Sequence, residues 1–413
     1  MGMSHKREQD DNMPKVHRVY FIGAGFSAGA GYPVGGDLVP KLINWLKKQQ
    51  FPKEDRDRKR FILAATSQLL RRYLGVTLDL AEARAEDITR AFSHVDVAEF
   101  YSTAHALAEM PALFDGPRGA DSLSQSPFSM SELYESLSAA TRTYFLEIYE
   151  NNALPDDMDC VLNSIDEKSH AIVNFNWDEE VDSLLSTWEN DPTPDEDHMA
   201  YTLSGRKKYH YVHLKPHGSI GWYDVAQGIG NDDVYFIAAD DERIGRAKRR
   251  ILAYTENELP RDIDQDPHPK LACPPVIMPP TFAKRFEFVE QQQIWQDVLQ
   301  VSTYADEFVF LGYSLPSDDF LTRAAIRRSL DRNGRVRSVK TVLIAKACDD
   351  AVSRRFISVF PEFHTDKDYL QWTFGGDNSE FWGNQCLAKL IEERLGSGNR
   401  SSRRPLSKKR ASR

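Results

Sequence analysis

The chain reads as an α/β protein built on a doubly wound parallel sheet, with a helical insertion. Three observations predict this. Short apolar runs recur at Arg18 to Ile22, Ala171 to Phe175, Tyr211 to Leu214, Val276 to Met278, Phe308 to Leu311 and Val339 to Ala345. Most are continuous rather than alternating, as expected of parallel strands buried on both faces. Segments with helical apolar spacing lie between them, at Glu180 to Trp188, Glu290 to Tyr304, Phe320 to Leu330 and Asp350 to Phe360, and strand-helix alternation is the signature of a parallel sheet wound on both sides. From Phe51 to Asn151 helical periods dominate and strand signals are few, so this stretch interrupts the alternation as an inserted block.

The expected organisation is a discontinuous Rossmann-like domain over residues 16–50 and 151–395, a helical insertion over 51–150 and a basic tail over 396–413. Within the insertion, Ser129-x-x-Glu132 forms a capping box ahead of the Leu133-Leu137-Tyr144-Phe145 pattern. Two polar stretches, Asn190 to Lys208 and Asp224 to Pro269, read as surface insertions. There is no internal repeat.

Composition narrows the class. Of 413 residues, 41% are hydrophobic and 28% charged, which places most of the chain in a packed fold. A formal net charge of -10 repels a phosphate backbone, so nucleic acid is not the default partner of the body. The tail from Gly396 is the exception, with Arg400, Arg403, Arg404, Lys408, Lys409, Arg410 and Arg413 among Ser, Gly and Pro. It reads as a disordered, solvated end, and its sharper use would be an electrostatic tether to nucleic acid or an acidic partner. The four cysteines, Cys160, Cys273, Cys348 and Cys386, form no C-x-x-C pair, so neither a zinc knuckle nor a disulfide framework is expected and a reducing compartment fits. No apolar run approaches the ~18 residues of a membrane span, and the polar start lacks a signal peptide's apolar middle. The expected location is the cytoplasm.

Four segments carry candidate chemistry. Gly23, Gly25 and Gly29 follow the first strand and precede a helix, where absent side chains let backbone N–H groups approach a pyrophosphate; tight packing is the other use of such glycines. The dehydrogenase form of the motif requires a second strand ending in an acid ~20 residues on. Here Asp37-Leu38-Val39-Pro40 leads into a charged helical region instead. In Ile172-Val173-Asn174-Phe175-Asn176-Trp177-Asp178 a buried strand ends in an amide and a carboxylate. Asn176 and Asp178 either face the crevice at the strand ends or cap the next helix. His213-Leu214-Lys215-Pro216-His217-Gly218-Ser219 places His217 at a strand end beside a glycine, which suits acid-base work near neutrality. In Gly312-Tyr313-Ser314-Leu315-Pro316-Ser317-Asp318-Asp319, Gly312 and Ser314 have room for a ribose or phosphate. Asp319 could accept a ribose hydroxyl, or Ser317, Asp318 or Asp319 could cap the helix at Phe320.

In chain order, Gly23-Ala24-Gly25-Phe26-Ser27, Asn176-Trp177-Asp178, His217-Gly218 and Gly312-Tyr313-Ser314-Leu315-Pro316 together resemble the bacterial sirtuin-like family of NAD-consuming proteins. The resemblance covers Val19 to Gly35 and Ala171 to Phe360. It implies an NAD hydrolase of antiphage defence that cleaves the nicotinamide-ribose bond of NAD, its substrate. By the same resemblance Gly23 to Ser27 would cradle the NAD phosphates, Gly29 and Pro33 would belong to the NAD-binding set, and Asn176 would contact the nicotinamide ribose. Asp178 would hold the carboxamide, His217 would be the catalytic histidine, Gly312 and Ser314 would line the adenosine end, and Tyr313 and Asp319 would belong to the NAD-binding set. It also implies a homo-oligomer and, in some members, a separate partner such as an ATP-driven translocase or an Argonaute-like protein.

Protein-deacetylating sirtuins resemble one another in a four-cysteine zinc module and a Gly-Ile-Pro-x-Phe-Arg loop. This chain has scattered cysteines and Gly31-Tyr32-Pro33-Val34-Gly35-Gly36-Asp37, so no zinc or other metal is expected and deacylation is disfavoured. The competing readings are a module that senses NAD or ADP-ribose without cleaving it, a deacylase, and a Rossmann domain with another nucleotide.

Overall fold

A computed structural model of the chain describes residues 16–109, 130–152, 154–165, 169–182, 212–224, 251–253, 275–281, 289–333, 338–344, 350–361, 369–372 and 385–395. The capping residue Ser129, the stretch 190–208, most of 224–269, Cys273, Cys348 and the basic tail lie outside the described residues.

Six strands form one parallel sheet. In chain order these are β1 (Arg18–Ile22), β2 (His170–Asn174), β3 (Val212–Leu214), β6 (Glu307–Leu311), β7 (Ser338–Ile344) and β8 (Tyr369–Trp372), while β4 (Trp222–Asp224) and β5 (Ile251–Ala253) pair separately as an antiparallel ribbon. The spatial order is β3-β2-β1-β6-β7-β8. Renumbered within the sheet, this is the 3-2-1-4-5-6 order of the doubly wound Rossmann fold, in which the crevice opens where the winding reverses. Here the reversal falls between β1 and β6, which pair in register from Arg18–Glu307 to Ile22–Leu311.

The sequence explains the burial. β1, β2 and β6 are buried at every position, and side chains alternate between two covered faces. Val19, Phe21, Val173, Phe308 and Phe310 join one core, under α8 (Val289–Tyr304), α9 (Phe320–Asn333) and α10 (Asp350–Val359). Tyr20, Ile22, Ile172, Val309 and Leu311 join the other, under α7 (Asp156–Asn163) and α11 (Leu387–Leu395). Arg18 is buried on this second face and still satisfied. Its guanidinium donates to Glu307 at 2.9 Å, to Tyr20 Oη at 3.0 Å and to Glu392 at 2.7 Å, so the base of β1 is tied to β6 and α11 by charge-assisted bonds.

After β1 come the short α1 (Ala24–Ser27), α2 (Leu38–Lys48), α3 (Lys53–Tyr73), α4 (Ala85–Phe92), α5 (Val97–Glu109) and α6 (Met130–Asn151). The described residues between β1 and β2 contain helices and no strand, so the acid-bearing second strand of a dehydrogenase is absent there. These helices build a third core, which includes the buried side of α2 and reaches Trp177 and Ile220 beyond the ends of β2 and β3. The helical layer is thereby joined to the carboxyl edge of the sheet.

The run Val276 to Met278 is not a strand. It makes one antiparallel bridge, Gly218 to Ile277, because Pro275, Pro279 and Pro280 bound it and cannot donate to a ladder. β8 was not signalled, since Tyr369–Trp372 is interrupted by Gln371 and follows Asp366-Lys367-Asp368, so it is no continuous apolar run. Cys160 and Cys386, far apart in sequence, meet where α7 packs on α11. Both are free thiols, and burial first, then the neighbouring Cys386 thiol, pushes Cys160 up to about 11. No helix among the described residues is long and apolar enough to cross a membrane, and no group of three or more metal-ligating side chains occurs among them.

Candidate functional site

The ends of β1 and β6 interlock. The Gly23 and Gly25 N–H groups donate to Leu311 O at 3.0 Å and Gly312 O at 2.9 Å, and Phe26 N–H donates to Gly23 O. A Cβ on Gly23 would lie 2.7 Å from Tyr313 Cα; one on Gly312 would lie 2.2 Å from Phe26 N, at a φ of +61°. Glycine is therefore demanded at both positions by close backbone approach. The Gly23 and Gly25 N–H groups bond across the junction and the Phe26 N–H closes the β1 turn itself, so tight packing is one use that Gly23 and Gly312 have here. Gly312→Ala combines that clash with a left-handed backbone and is expected to destabilise the protein by about 3 kcal/mol or more, read from the urea midpoint.

Asn176 extends from the end of β2 to this junction. Its amide nitrogen donates to Gly23 O at 3.1 Å and Ser27 Oγ at 2.9 Å, and its backbone N–H donates to Asn174 Oδ1. Oδ1 is the amide atom these bonds leave for a hydroxyl or water. Ser27 in turn bonds the carboxyl of Asp178, which is buried. Burial is the leading influence and raises the Asp178 carboxyl above its ordinary value, against the opposing pull of Lys215 and Ser27.

Lys215 was not singled out from the sequence, yet it holds the strand ends together. It is fully buried, and its ammonium donates to Asp178 O at 2.6 Å, Asp182 Oδ2 at 2.8 Å and Ser219 Oγ at 2.8 Å. A fixed charge inside an otherwise apolar strand-end run was the available signal, because a buried lysine must find partners. Tyr32 and Glu180 were also missed. The Tyr32 hydroxyl donates to Glu180 at 3.2 Å, the Tyr32 ring meets Phe145 of α6, and Phe145 meets Trp177. Nothing in the sequence pattern paired residues so distant.

His217 lies in a loop that the 275–281 segment braces. Gly218 adopts a φ of +81° with Val276 O 2.2 Å from where a Cβ would sit, and Met278 N–H donates to His217 O at 2.8 Å. The imidazole rests on Phe175 at 5.0 Å and near Trp295 at 6.1 Å, and Trp295 Nε1 donates to Pro216 O. Its Nε2 is 3.5 Å from Asp319 Oδ2. The same carboxylate oxygen accepts the Tyr313 hydroxyl, and the Tyr313 ring stacks on Phe175 at 4.5 Å. Asp319 therefore faces the histidine. Leu315, buried at a φ of 48°, lies in the turn between Tyr313 and Asp319, and Ser314 O accepts Arg355 Nε at 3.0 Å.

The fold thus gathers Gly23, Gly25, Phe26, Ser27, Asn176, Asp178, His217, Gly312, Tyr313 and Asp319 from the ends of four neighbouring strands. Ala24 and Gly29 are half-buried within the turn, Pro33 is buried beyond Tyr32, and Ser314 is half-buried with its carbonyl engaged. No protein-family model matches the chain, and no curated protein matches it.

His213, on β3, is buried 3.8 Å from Asp182. Desolvation, the largest influence, lowers it from 6.5 to about 4, with Lys215 adding to the fall and Asp182 opposing it. The fold holds the neutral ring, so between about pH 6.5 and 4 the unfolded chain binds the extra proton. The contribution is complete above 6.5 and is lost as pH falls towards 4, on the order of 3 kcal/mol at most. Urea midpoints at pH 7 and 4.5 check this: the acid loss is expected to shrink in His213→Gln.

Proposed function

We propose that this protein is an NAD hydrolase that releases nicotinamide from NAD and leaves ADP-ribose. The observation that carries the reading is the convergence of His217, Asn176 and the Gly23 and Gly312 turns at the switch point of the 3-2-1-4-5-6 sheet, where doubly wound folds take nucleotides. The motif resemblance supplies the substrate.

The chemistry needs few groups. Nicotinamide in NAD is a cation that departs neutral, so no acid is required on the leaving group; an oxocarbenium-like ribose must be held and water delivered. Asn176 Oδ1 orients a ribose hydroxyl or the water. His217 takes a proton from one of them, and Asp319 offers a carboxylate opposite the ring that gains it. Asp178, whose carboxyl accepts Ser27 and the Glu180 N–H at the end of β2, holds the carboxamide. Phe175, Tyr313 and Trp295 supply an apolar wall that limits bulk water. Free NAD consumption would be toxic, and the helical layer that contacts Trp177 and Glu180 is the surface through which an oligomer contact or partner would gate the activity in antiphage defence.

The test is nicotinamide release from NAD by the purified full chain without any acylated peptide. Release supports hydrolysis. Release only with an acylated peptide would make it a deacylase. NAD binding without release under either condition would make it a sensing module.

A further inference from the structure

We propose that Tyr313 and Asp319 are positioning residues for His217, fixing its ring as the tautomer that carries the proton on Nε2 and presents Nδ1 as the base. The catalytic consequence rests on the hydrolase reading, while the tautomer itself follows from the geometry. Asp319 is 1% exposed, and its backbone N–H donates to Pro316 O, so the turn after β6 holds the carboxylate in place. Tyr313 is likewise buried, and burial followed by the Asp319 charge raises its phenol well above the ordinary value. The phenol is therefore a fixed donor, and one lone pair of Asp319 Oδ2 is taken by its O–H.

What else faces that same oxygen must also donate, because an oxygen that accepts the Tyr313 hydroxyl offers only a further lone pair. The group there is His217 Nε2 at 3.5 Å. A neutral imidazole has one N–H, so a proton on Nε2 leaves Nδ1 unprotonated. The separation is longer than a formed hydrogen bond, and catalytic contacts of this kind commonly tighten when substrate binds. Phe175 sets the spacing, with the His217 ring 5.0 Å and the Tyr313 ring 4.5 Å from it. This gives Asp319 a different task from accepting a ribose hydroxyl, and it gives Tyr313 one that a lining role does not.

The test labels the histidine ring nitrogens isotopically and records their resonances, assigning His217 by its loss in His217→Ala. Wild type is expected to show the Nε2–H tautomer. Asp319→Ala removes the acceptor that both Tyr313 and Nε2 face and is expected to abolish the preference for Nε2–H, lowering kcat roughly 10²- to 10⁴-fold with KM changed less than about threefold. Tyr313→Phe keeps the ring stack and the tautomer and is expected to lower kcat about tenfold. An Nδ1–H tautomer in wild type overturns the proposal even if Asp319→Ala fails to fold, and an unchanged tautomer in a folded Asp319→Ala also overturns it. If the tautomer responds as expected while wild type releases no nicotinamide, the relay stands and the hydrolase reading falls.

Discussion

His217→Ala is expected to lower nicotinamide release from NAD by at least about 100-fold, the usual contribution of a placed general base, while the protein stays folded. The ring is nearly buried, so its removal leaves a small void beside Phe175 and Trp295. That void costs about 1–2 kcal/mol, which a melting curve separates from a loss of activity. Asn176→Ala is expected to reach a comparable loss by another route. The variant loses Oδ1 and also the donors to Gly23 O and Ser27 Oγ, so the β1 turn loosens and both kcat and KM change. Comparing the two separates a proton acceptor from a residue that also builds the pocket. Full activity in a folded His217→Ala protein would remove His217 from the chemistry.

The sheet was legible because β1, β2 and β6 are buried on both faces and must be written as continuous apolar runs. The helices Val289–Tyr304, Phe320–Asn333 and Asp350–Val359 were legible from spacing. Val276 to Met278 misled because apolar content was weighed above the flanking prolines, which end pairing after a single bridge. Glycine needs were visible at Gly23 and Gly312, but a sequence does not reveal that two glycine turns would consume each other's hydrogen bonds. That Asn176 and His217 lie at strand ends was within reach, because the doubly wound topology sends strand ends to one crevice. Partnerships between distant turns were not. The Asp319 carboxylate could be read as a helix cap or a ribose acceptor from its neighbours, and only the return of β6 beside β1 brings the turns of His217 and Asp319 together.

Lys215→Met is expected to destabilise the protein by about 3–5 kcal/mol, the cost of removing one member of a buried ion pair. The magnitude follows from what remains behind. Asp182 Oδ2, 2.8 Å from the ammonium and 5% exposed, stays buried without that counter-charge, and Asp178 O and Ser219 Oγ lose a donor. The same ammonium opposes the burial that raises the Asp178 carboxyl, so its loss drives that group further towards the protonated form. Stability of the variant should therefore improve, relative to wild type, as pH falls and these carboxyls take up protons. Adding Asp182→Leu removes the stranded charge, and the double variant is expected to be more stable than the sum of the single losses by about 1–3 kcal/mol. Urea denaturation of the four proteins decides it: a single-variant loss under about 1 kcal/mol would mean that the lysine is less committed than its geometry indicates. Because Lys215 joins the loops that bear Asp178 and His217, nicotinamide release by Lys215→Met should fall well below the midpoint temperature of unfolding, before the sheet itself gives way.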